Sequence, residues 1–175
     1  MATDSEKVLV GVTGGVYHGD TDATLPTNAT TAIDASLVEV GYVSEDGLTQ
    51  SIAADTQSIK AWQNGDTVRT VQTSHELTYQ FKMIESNDES QSIFYGATVT
   101  GGEIEITGNQ MPLKSFVFEM FDGDQAIRIV CPSARVTERG DVVWKGDEEI
   151  GYEVTINCLP DTSGVKAYIY QDAVS

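Results

Sequence analysis

The sequence predicts a mainly β protein, because its composition, its alternating apolar pattern and its turn signals all favour strands. Sixteen glycines and seven tyrosines stand against four prolines, a balance typical of strands joined by tight turns. The clearest alternation is that of Leu77, Tyr79, Phe81 and Met83 with polar neighbours. With 175 residues, 40% of them hydrophobic, the chain fits a single domain over residues 1–175 with its own core.

The N-terminal part of the chain predicts two strands. The first begins near Val8, within residues 7–17, and leads through Gly14-Gly15 into a polar loop over residues 18–31. The second strand is predicted over residues 33–43, and the polar turn formers 44–47 end it.

Residues 48–66 predict a long and partly extended loop. Ile52 and Ile59 are isolated apolar residues in a polar stretch, which closes with the turn formers Gln63-Asn64-Gly65-Asp66. Loops of this length inside compact domains usually bind a partner or act as a lid. This loop is therefore the leading interface candidate.

The middle of the chain predicts one strand and one helix. Residues 67–84 form the strand, with one buried and one solvated face. Ser86 and Glu89 then have the spacing of a capping box, and Gly96 suits the end of a helix. One short helix is expected between them.

The remainder of the chain predicts six strands separated by turns. Asp122-Gly123-Asp124 is a hairpin signal, and Lys145-Gly146-Asp147 precedes a second alternating run. The predicted strands cover residues 98–107, 113–121, 125–136, 142–145, 149–159 and 165–171.

The charge balance disfavours ordinary nucleic-acid binding. The 27 acidic and 10 basic residues give a formal net charge of -17, whereas binding to phosphates requires Lys and Arg. The acidity serves solubility, or it repels DNA; composition is consistent with both.

The cysteines and the absence of a targeting signal favour the cytoplasm. No stretch approaches the roughly 20 apolar residues of a membrane span, and residues 1–6 lack a signal-peptide pattern. Cys131 and Cys158 lie in strand-like apolar patterns, which favour buried reduced thiols. The alternative, a disulfide, requires their two strands to be neighbours.

The residues offer little catalytic or metal chemistry. His75 has no ligand at metal-binding spacing, and His18 with Asp20 and Asp22 falls short of the convergent ligand set of a zinc site. The acidic turns 122–124 and 146–149 lack the spacing of a calcium loop, and no glycine pair belongs to a P-loop. We expect no enzyme, no cofactor and no metal site.

Two tryptophans are the largest potential anchors. Trp144 follows Val142 and Val143 and is predicted to lie in the core. Trp62 lies in the polar loop and fits a core or a protein interface equally well, since desolvated Trp concentrates binding energy.

Part of the sequence resembles the major tail tube proteins of siphophages that infect actinobacteria. The resemblance lies in the order and spacing of the matching residues. It covers residues 38–96 well and the rest of the chain loosely. Its most specific run is Lys60-Ala61-Trp62-Gln63-Asn64-Gly65-Asp66; residues 40–49, residues 81–87 and Tyr95-Gly96 also carry it.

The resemblance implies a β-sandwich or partly closed barrel with one short flanking helix, assembled as stacked hexameric rings of a hollow tail tube that delivers DNA. It implies a virion protein that is assembled in the host cytoplasm and contacts the tape measure, tail terminator and distal tail proteins. It implies no membrane contact and no specific DNA binding. It also implies that the long loop, about residues 45–66, contacts other subunits. Our candidate contact residues are Glu45, Asp46, Asp55, Ile59, Lys60, Trp62, Asn64 and Asp66.

A tube gives the acidity a second meaning, because carboxylates on the channel wall would repel phosphates. Screening limits this effect to about 8 Å at physiological salt, so only lumen charges matter. Glu103, Glu105 and Glu153 alternate with apolar residues on predicted strands and are the lumen candidates, although the same pattern fits residues that face outer solvent.

Two other functions fit the sequence. A soluble β-sandwich could bind a carbohydrate or protein ligand through Trp62 and exposed tyrosines. A hydrolase could use two carboxylates, but a retaining glycosidase needs them about 5 Å apart, and no spacing in the sequence indicates such a pair.

Overall fold

The computed structural model describes residues 8–173, which form an antiparallel β fold with one short helix. Residues 1–7 and 174–175, including the start of the first predicted segment, lie outside the described residues. The mainly β prediction with one helix is confirmed. The elements are β1 (Thr13–Gly19), β2 (Val38–Glu39), β3 (Val43–Lys60), β4 (Thr67–Met83), α1 (Asp88–Tyr95), β5 (Lys114–Asp122), β6 (Gln125–Arg139), β7 (Tyr152–Cys158) and β8 (Tyr168–Ala173).

The strands form one sheet in the order β2-β1-β5-β6-β7-β4-β3, and β8 also pairs with β6. Although β6 and β7 separate β4 from β5 in this order, Phe81 of β4 packs edge-on against Phe118 of β5, with ring centroids 5.5 Å apart. The sheet therefore curls until β4 faces β5 across the main core, as the alternating residues of β4 predicted.

The opposite face of β5 and β6 is covered by the connection between β1 and β2. Leu37 from this connection packs against Val117 and Val130 in a second, smaller core. A buried pair, Arg128 and Glu119, lies beside it, and Arg128 Nη1 donates to the carbonyl of Asn28 at 2.7 Å. Both faces of this half of the sheet are thus buried.

The helix begins one residue later than the sequence pattern predicted. Asn87, not Ser86, is the N-cap: its side chain accepts from the Ser90 amide at 2.8 Å, and Ser90 Oγ accepts from the Asn87 amide at 3.2 Å. Glu89 is consequently free of the cap and contacts His18. Gly96 ends the helix in the left-handed conformation, as expected.

Four predicted strands are absent or shortened among the described residues. Residues 8–10 and 142–145 form no strand, residues 98–107 contain only the bridge between Thr100 and Glu103, and residues 33–43 are reduced to β2 and the start of β3. Gly101 and Gly102 both have positive φ and reverse the chain within residues 98–107. Apolar alternation there has no neighbouring strand to pair with.

The two cysteines are buried free thiols, as predicted. Cys131 of β6 and Cys158 of β7 place their Sγ atoms 3.2 Å apart. The contact with Cys158, together with burial, raises the pKa of the Cys131 thiol. A thiol held neutral in this way is unreactive, which suits a purely structural core position.

Candidate assembly surfaces

The predicted long loop is in fact most of a two-stranded ribbon. Residues 43–60 form β3, which pairs with β4 at Val43 and from Leu48 to Lys60, and residues 61–66 make the connecting turn. The Ala61 amide donates to the Asp66 carbonyl at 2.8 Å, while Asn64 and Gly65 take left-handed φ values of 60° and 69°. A loop was wrongly predicted because no face of β3 beyond Leu48 is buried, so its sequence shows no apolar alternation.

The outer part of this ribbon projects from the domain. Residues 78–83 of β4 pair with β7 as well as β3, whereas residues 67–77 pair with β3 alone. Lys166 Nζ donates to the carbonyl of His75, and this is the outermost hydrogen bond between the ribbon and the body among the described residues. At about 3.3 Å per residue, the eight residues 67–74 extend roughly 25 Å beyond it.

The turn carries an unpartnered tryptophan. Trp62 is 98% exposed, so the core alternative is wrong, and Ile59 and Val68 beside it are also largely exposed. The end of the ribbon is therefore apolar but solvated in the single chain. Exposed apolar groups of this kind, concentrated on one projecting element, are typical of an interaction surface.

The structure separates the eight candidate contact residues into three places. Glu45 and Asp46 lie at the inner end of β3, more than ten residues from the turn. Asp55 lies at a register shift, where its carboxylate accepts from Ser74 Oγ at 2.9 Å. The outer end of the ribbon holds Ile59, Lys60, Trp62, Asn64 and Asp66.

A second exposed tryptophan lies near the inner end of the ribbon. Trp144 is 71% exposed in the connection between β6 and β7, so the core prediction for it is wrong. Val142 packs on the core instead, and the polar run 145–149 draws the chain outward. That polar run is the sequence signal that identifies Trp144 as a surface residue.

The three lumen candidates occupy different settings. Glu103 and Glu105 are exposed, but neither is on a strand; both lie in the connection between α1 and β5. Glu153 lies on β7, where its carboxylate accepts from Gln80 Nε2 at 2.6 Å and its register partner is Lys82.

Glu153 belongs to a broad polar face on β4 and β7. The side chains on this face alternate with the buried ones of the same strands, so they lie on the side away from the core. They are Thr78, Gln80, Lys82, Glu153, Thr155 and Asn157. This face is rich in hydroxyl and amide groups, with one carboxylate beside one ammonium.

The histidines have structural surroundings. His18 is buried, and its Nε2 lies 2.7 Å from Glu89 Oε2, joining β1 to α1. Burial lowers the pKa of His18, and this outweighs the opposite effect of Glu89. His75 is exposed on the ribbon. Residues 8–173 contain no group of three metal-ligating side chains and no helix long and apolar enough to cross a membrane.

Comparison with known proteins identifies one family and a set of similar folds. The family model described as "Phage tail tube protein" matches residues 1–174 of the chain. The sheath–tube complex of an extracellular contractile injection system, PVC, in its extended state contains a chain with a TM-score of 0.52 and 10% identity, covering 99% of this chain and 100% of that chain. No curated protein matches this chain.

A further structural match comes from the sheath/tube terminator of the same type of injection system in its extended state. Its TM-score is 0.50 at 13% identity, and the match covers 95% of this chain and 99% of that chain. At these identities the two solved structures show a shared fold.

Proposed function

Because the chain belongs to the phage tail tube protein family, whose members are structural proteins and not enzymes, we propose that it assembles as stacked hexameric rings into the tail tube of a long-tailed phage. The tube conducts DNA to the host. The single domain, residues 1–175, supplies the wall, and the ribbon formed by β3 and β4 supplies contacts between subunits.

The observation that carries this proposal is the projecting ribbon with Trp62 at its end. Its outer half pairs with nothing but itself among residues 8–173, and its apolar turn is solvated. In the monomer this element buries little apolar surface, so the hydrophobic effect contributes little to its stability. We expect another copy to cover it in the assembled tube.

Ring closure would use the two ends of the sheet. β3 is the last strand at one end, and at the other end the two-residue β2 leaves residues 13–15 of β1 without a partner on that side. Unpaired strand edges are templates for pairing with another chain. If one end of the sheet pairs with the opposite end of the next subunit, the contact is heterologous. Such contacts form a closed ring when the rotations between successive subunits add up to a full turn.

The polar face of β4 and β7 is the candidate channel wall. It is solvated and carries Glu153, and pairing of sheet edges around a ring would extend it from subunit to subunit. Most groups on this face are hydroxyls and amides, which offer passing phosphates no positive charge. Its one cation is Lys82, whose Nζ lies 3.0 Å from Glu149 Oε1. Glu103 and Glu105 are proposed to face the channel from the connection before β5.

The finer assignment is to a siphophage whose tube meets tape measure, tail terminator and distal tail proteins in the virion. It is supported by the resemblance of residues 38–96, since the most specific run of that resemblance, residues 60–66, coincides with the exposed end of the ribbon. A ligand-binding β-sandwich is the second candidate, and the solvated Trp62 is the observation that favours it.

Electron microscopy of the purified protein tests the proposal. Concentrated protein, alone or with tail-tip assembly proteins, is expected to form rings of six and hollow tubes. Protein that stays monomeric under both conditions would overturn it. A tube built from rings of a different number would correct the symmetry and leave the function in place.

A further inference from the structure

The two ends of the ribbon have opposite electrostatic character. We define the ribbon tip as residues 56–72, which begin at the register shift after Asp55. It contains the cations Lys60 and Arg69 and a single carboxylate, Asp66, in a chain where acidic residues outnumber basic ones by 27 to 10. Neither cation forms an ion pair among the described residues. The tip is thus a basic and apolar element on an acidic protein.

The inner end of the ribbon lies in an acidic surface, which we call the root surface and define as residues 41–47, 84–90 and 138–151. The Ile84 amide donates to the Tyr42 carbonyl at 2.9 Å, and the Gly140 amide donates to the Glu153 carbonyl at 2.9 Å. Lys82, at the end of β4, bridges to Glu149 at 3.0 Å. These three segments hold ten acidic and two basic residues.

The root surface also carries exposed apolar side chains. Tyr42 is 76% exposed, and Trp144 and Val143 are exposed in the connection between β6 and β7. The tip offers the matching groups, since Trp62, Ile59 and Val68 are exposed around its two cations. Each surface therefore combines aromatic and aliphatic groups with charge, and the charges are of opposite sign.

We propose that the tip of one copy docks on the root surface of a second copy in the adjacent ring. The inference rests on the proposed tube and names the receiving surface. β4 runs from the tip to the root surface over 17 residues, which is about 55 Å at 3.3 Å per residue. A chain cannot fold its own tip back over that distance, so the occupant of the root surface is another copy.

The direction of the contact suits a tube. The tip and the root surface are different patches at opposite ends of one strand, so a tip–root contact is heterologous and leaves a free tip and a free root surface on each new ring. Growth therefore continues in one direction with the same contact. Opposite charges steer the approach, and like ends repel each other, which prevents rings from stacking in the wrong orientation.

Charge reversal at the tip, and a reduction of the negative charge on the root surface, test the inference. The tip variant is K60E/R69E, and the root variant is D141K/D147K, chosen because both carboxylates are exposed and form no ion pair among residues 8–173. The variant D22K/D124K is the matched control: it makes the same change in net charge as the root variant, at exposed positions outside both surfaces. Thermal unfolding of all three confirms that the subunits fold.

We expect the tip and root variants to form single rings, with the number of stacked rings per particle reduced at least tenfold in electron micrographs. The control should stack like the wild type. Raising salt toward 1 M should shorten wild-type tubes, because the Debye length falls to about 3 Å.

The possible failures are separable. Tip and root variants that stack at wild-type length, or a root variant that behaves like the control, would overturn the docking and leave the tail tube assignment in place. Wild-type protein that forms no rings at all would overturn both.

Discussion

Arg128 and Glu119 form an ion pair that is almost completely buried between β5, β6 and the connection from β1 to β2. Arg128 Nε lies 2.8 Å from Glu119 Oε1, and the two side chains are only 4% and 8% exposed. The same guanidinium holds the carbonyl of Asn28. One pair therefore fixes the covering segment to the sheet.

Removing one partner of this pair should cost much more stability than removing both. Arg128→Ala leaves the Glu119 carboxylate buried without a counter-charge, and we expect the free energy of unfolding to fall by about 3–5 kcal/mol. R128M/E119L, which fills the space with apolar groups, should lose much less. Urea denaturation measures both. Lys145→Ala, at the exposed pair with Glu148, is the control and should stay within about 1 kcal/mol.

A close backbone approach makes Gly14 hard to replace. A Cβ at Gly14 would lie 2.2 Å from the carbonyl oxygen of Glu119 on the neighbouring β5, whereas one at Gly11 meets nothing within 4 Å. Gly14→Ala should therefore push β1 from β5 and lower the free energy of unfolding by about 1–3 kcal/mol. Gly11→Ala should be nearly neutral. Equal thermal stability of the two variants would contradict this account of the contact between β1 and β5.

Stability should fall as His18 becomes protonated. Burial sets the folded-state pKa of His18 below its unfolded value, so the unfolded chain binds the proton more readily and acidification below pH 6.5 favours unfolding. Glu89 and Asp20 oppose the downward shift and Lys114 supports it. We expect the unfolding free energy of the wild type to decrease between pH 7 and pH 5, with a smaller slope in His18→Gln. Identical slopes would show that other groups cause the pH dependence.

The core strands were predictable, and the surfaces were not, for one physical reason. Leu77, Tyr79, Phe81 and Met83 alternate because one face of β4 is buried. Beyond Leu48 neither face of β3 is buried, so its sequence shows no apolar alternation although the strand pairs with β4. Glu103 and Glu105 show the converse: they alternate with isoleucines, but no neighbouring strand pairs with them.

The tryptophans were ambiguous because burial depends on the whole fold. Trp144 follows two valines, yet only Val142 reaches the core. Trp62 and its basic neighbours could be recognised as a contact region from the resemblance. Only the structure shows that Lys60 and Trp62 lie at the opposite end of β4 from Trp144.

Trp62 should matter for assembly and not for the folding of the subunit. Because the side chain is 98% exposed, Trp62→Ala should change the free energy of unfolding by less than about 0.5 kcal/mol. Tube formation, followed by light scattering and electron microscopy, should be lost or strongly reduced. Ile106→Ala, which also removes an exposed apolar side chain, is the control and should assemble normally.

The outcome for Trp62→Ala also separates the two candidate functions. A tube subunit loses polymerisation while the monomer stays folded. A ligand-binding module, in contrast, would be monomeric before and after the change and would lose binding to its carbohydrate or protein ligand. Normal tubes from Trp62→Ala would remove the ribbon end from the assembly contacts.

Reversal of the lumen candidates should affect DNA passage more than assembly. The variant E103K/E105K/E153K replaces three carboxylates with ammonium groups. Each ammonium group on the channel wall can bind a DNA phosphate, and the release of counterions from the DNA favours this binding. The one side-chain hydrogen bond of Glu153 among the described residues is with Gln80 of the same polar face, so the subunits should fold and tubes should form. We expect phage carrying this variant to eject DNA more slowly or to arrest with DNA in the tail, measured by the release of a DNA-binding dye signal from single particles. D22K/D34K/D124K changes the charge equally at other exposed positions and should eject like the wild type. Because a lumen effect acts through charges within a Debye length of the DNA, the defect should weaken as salt rises; normal ejection at low salt would place these carboxylates away from the channel.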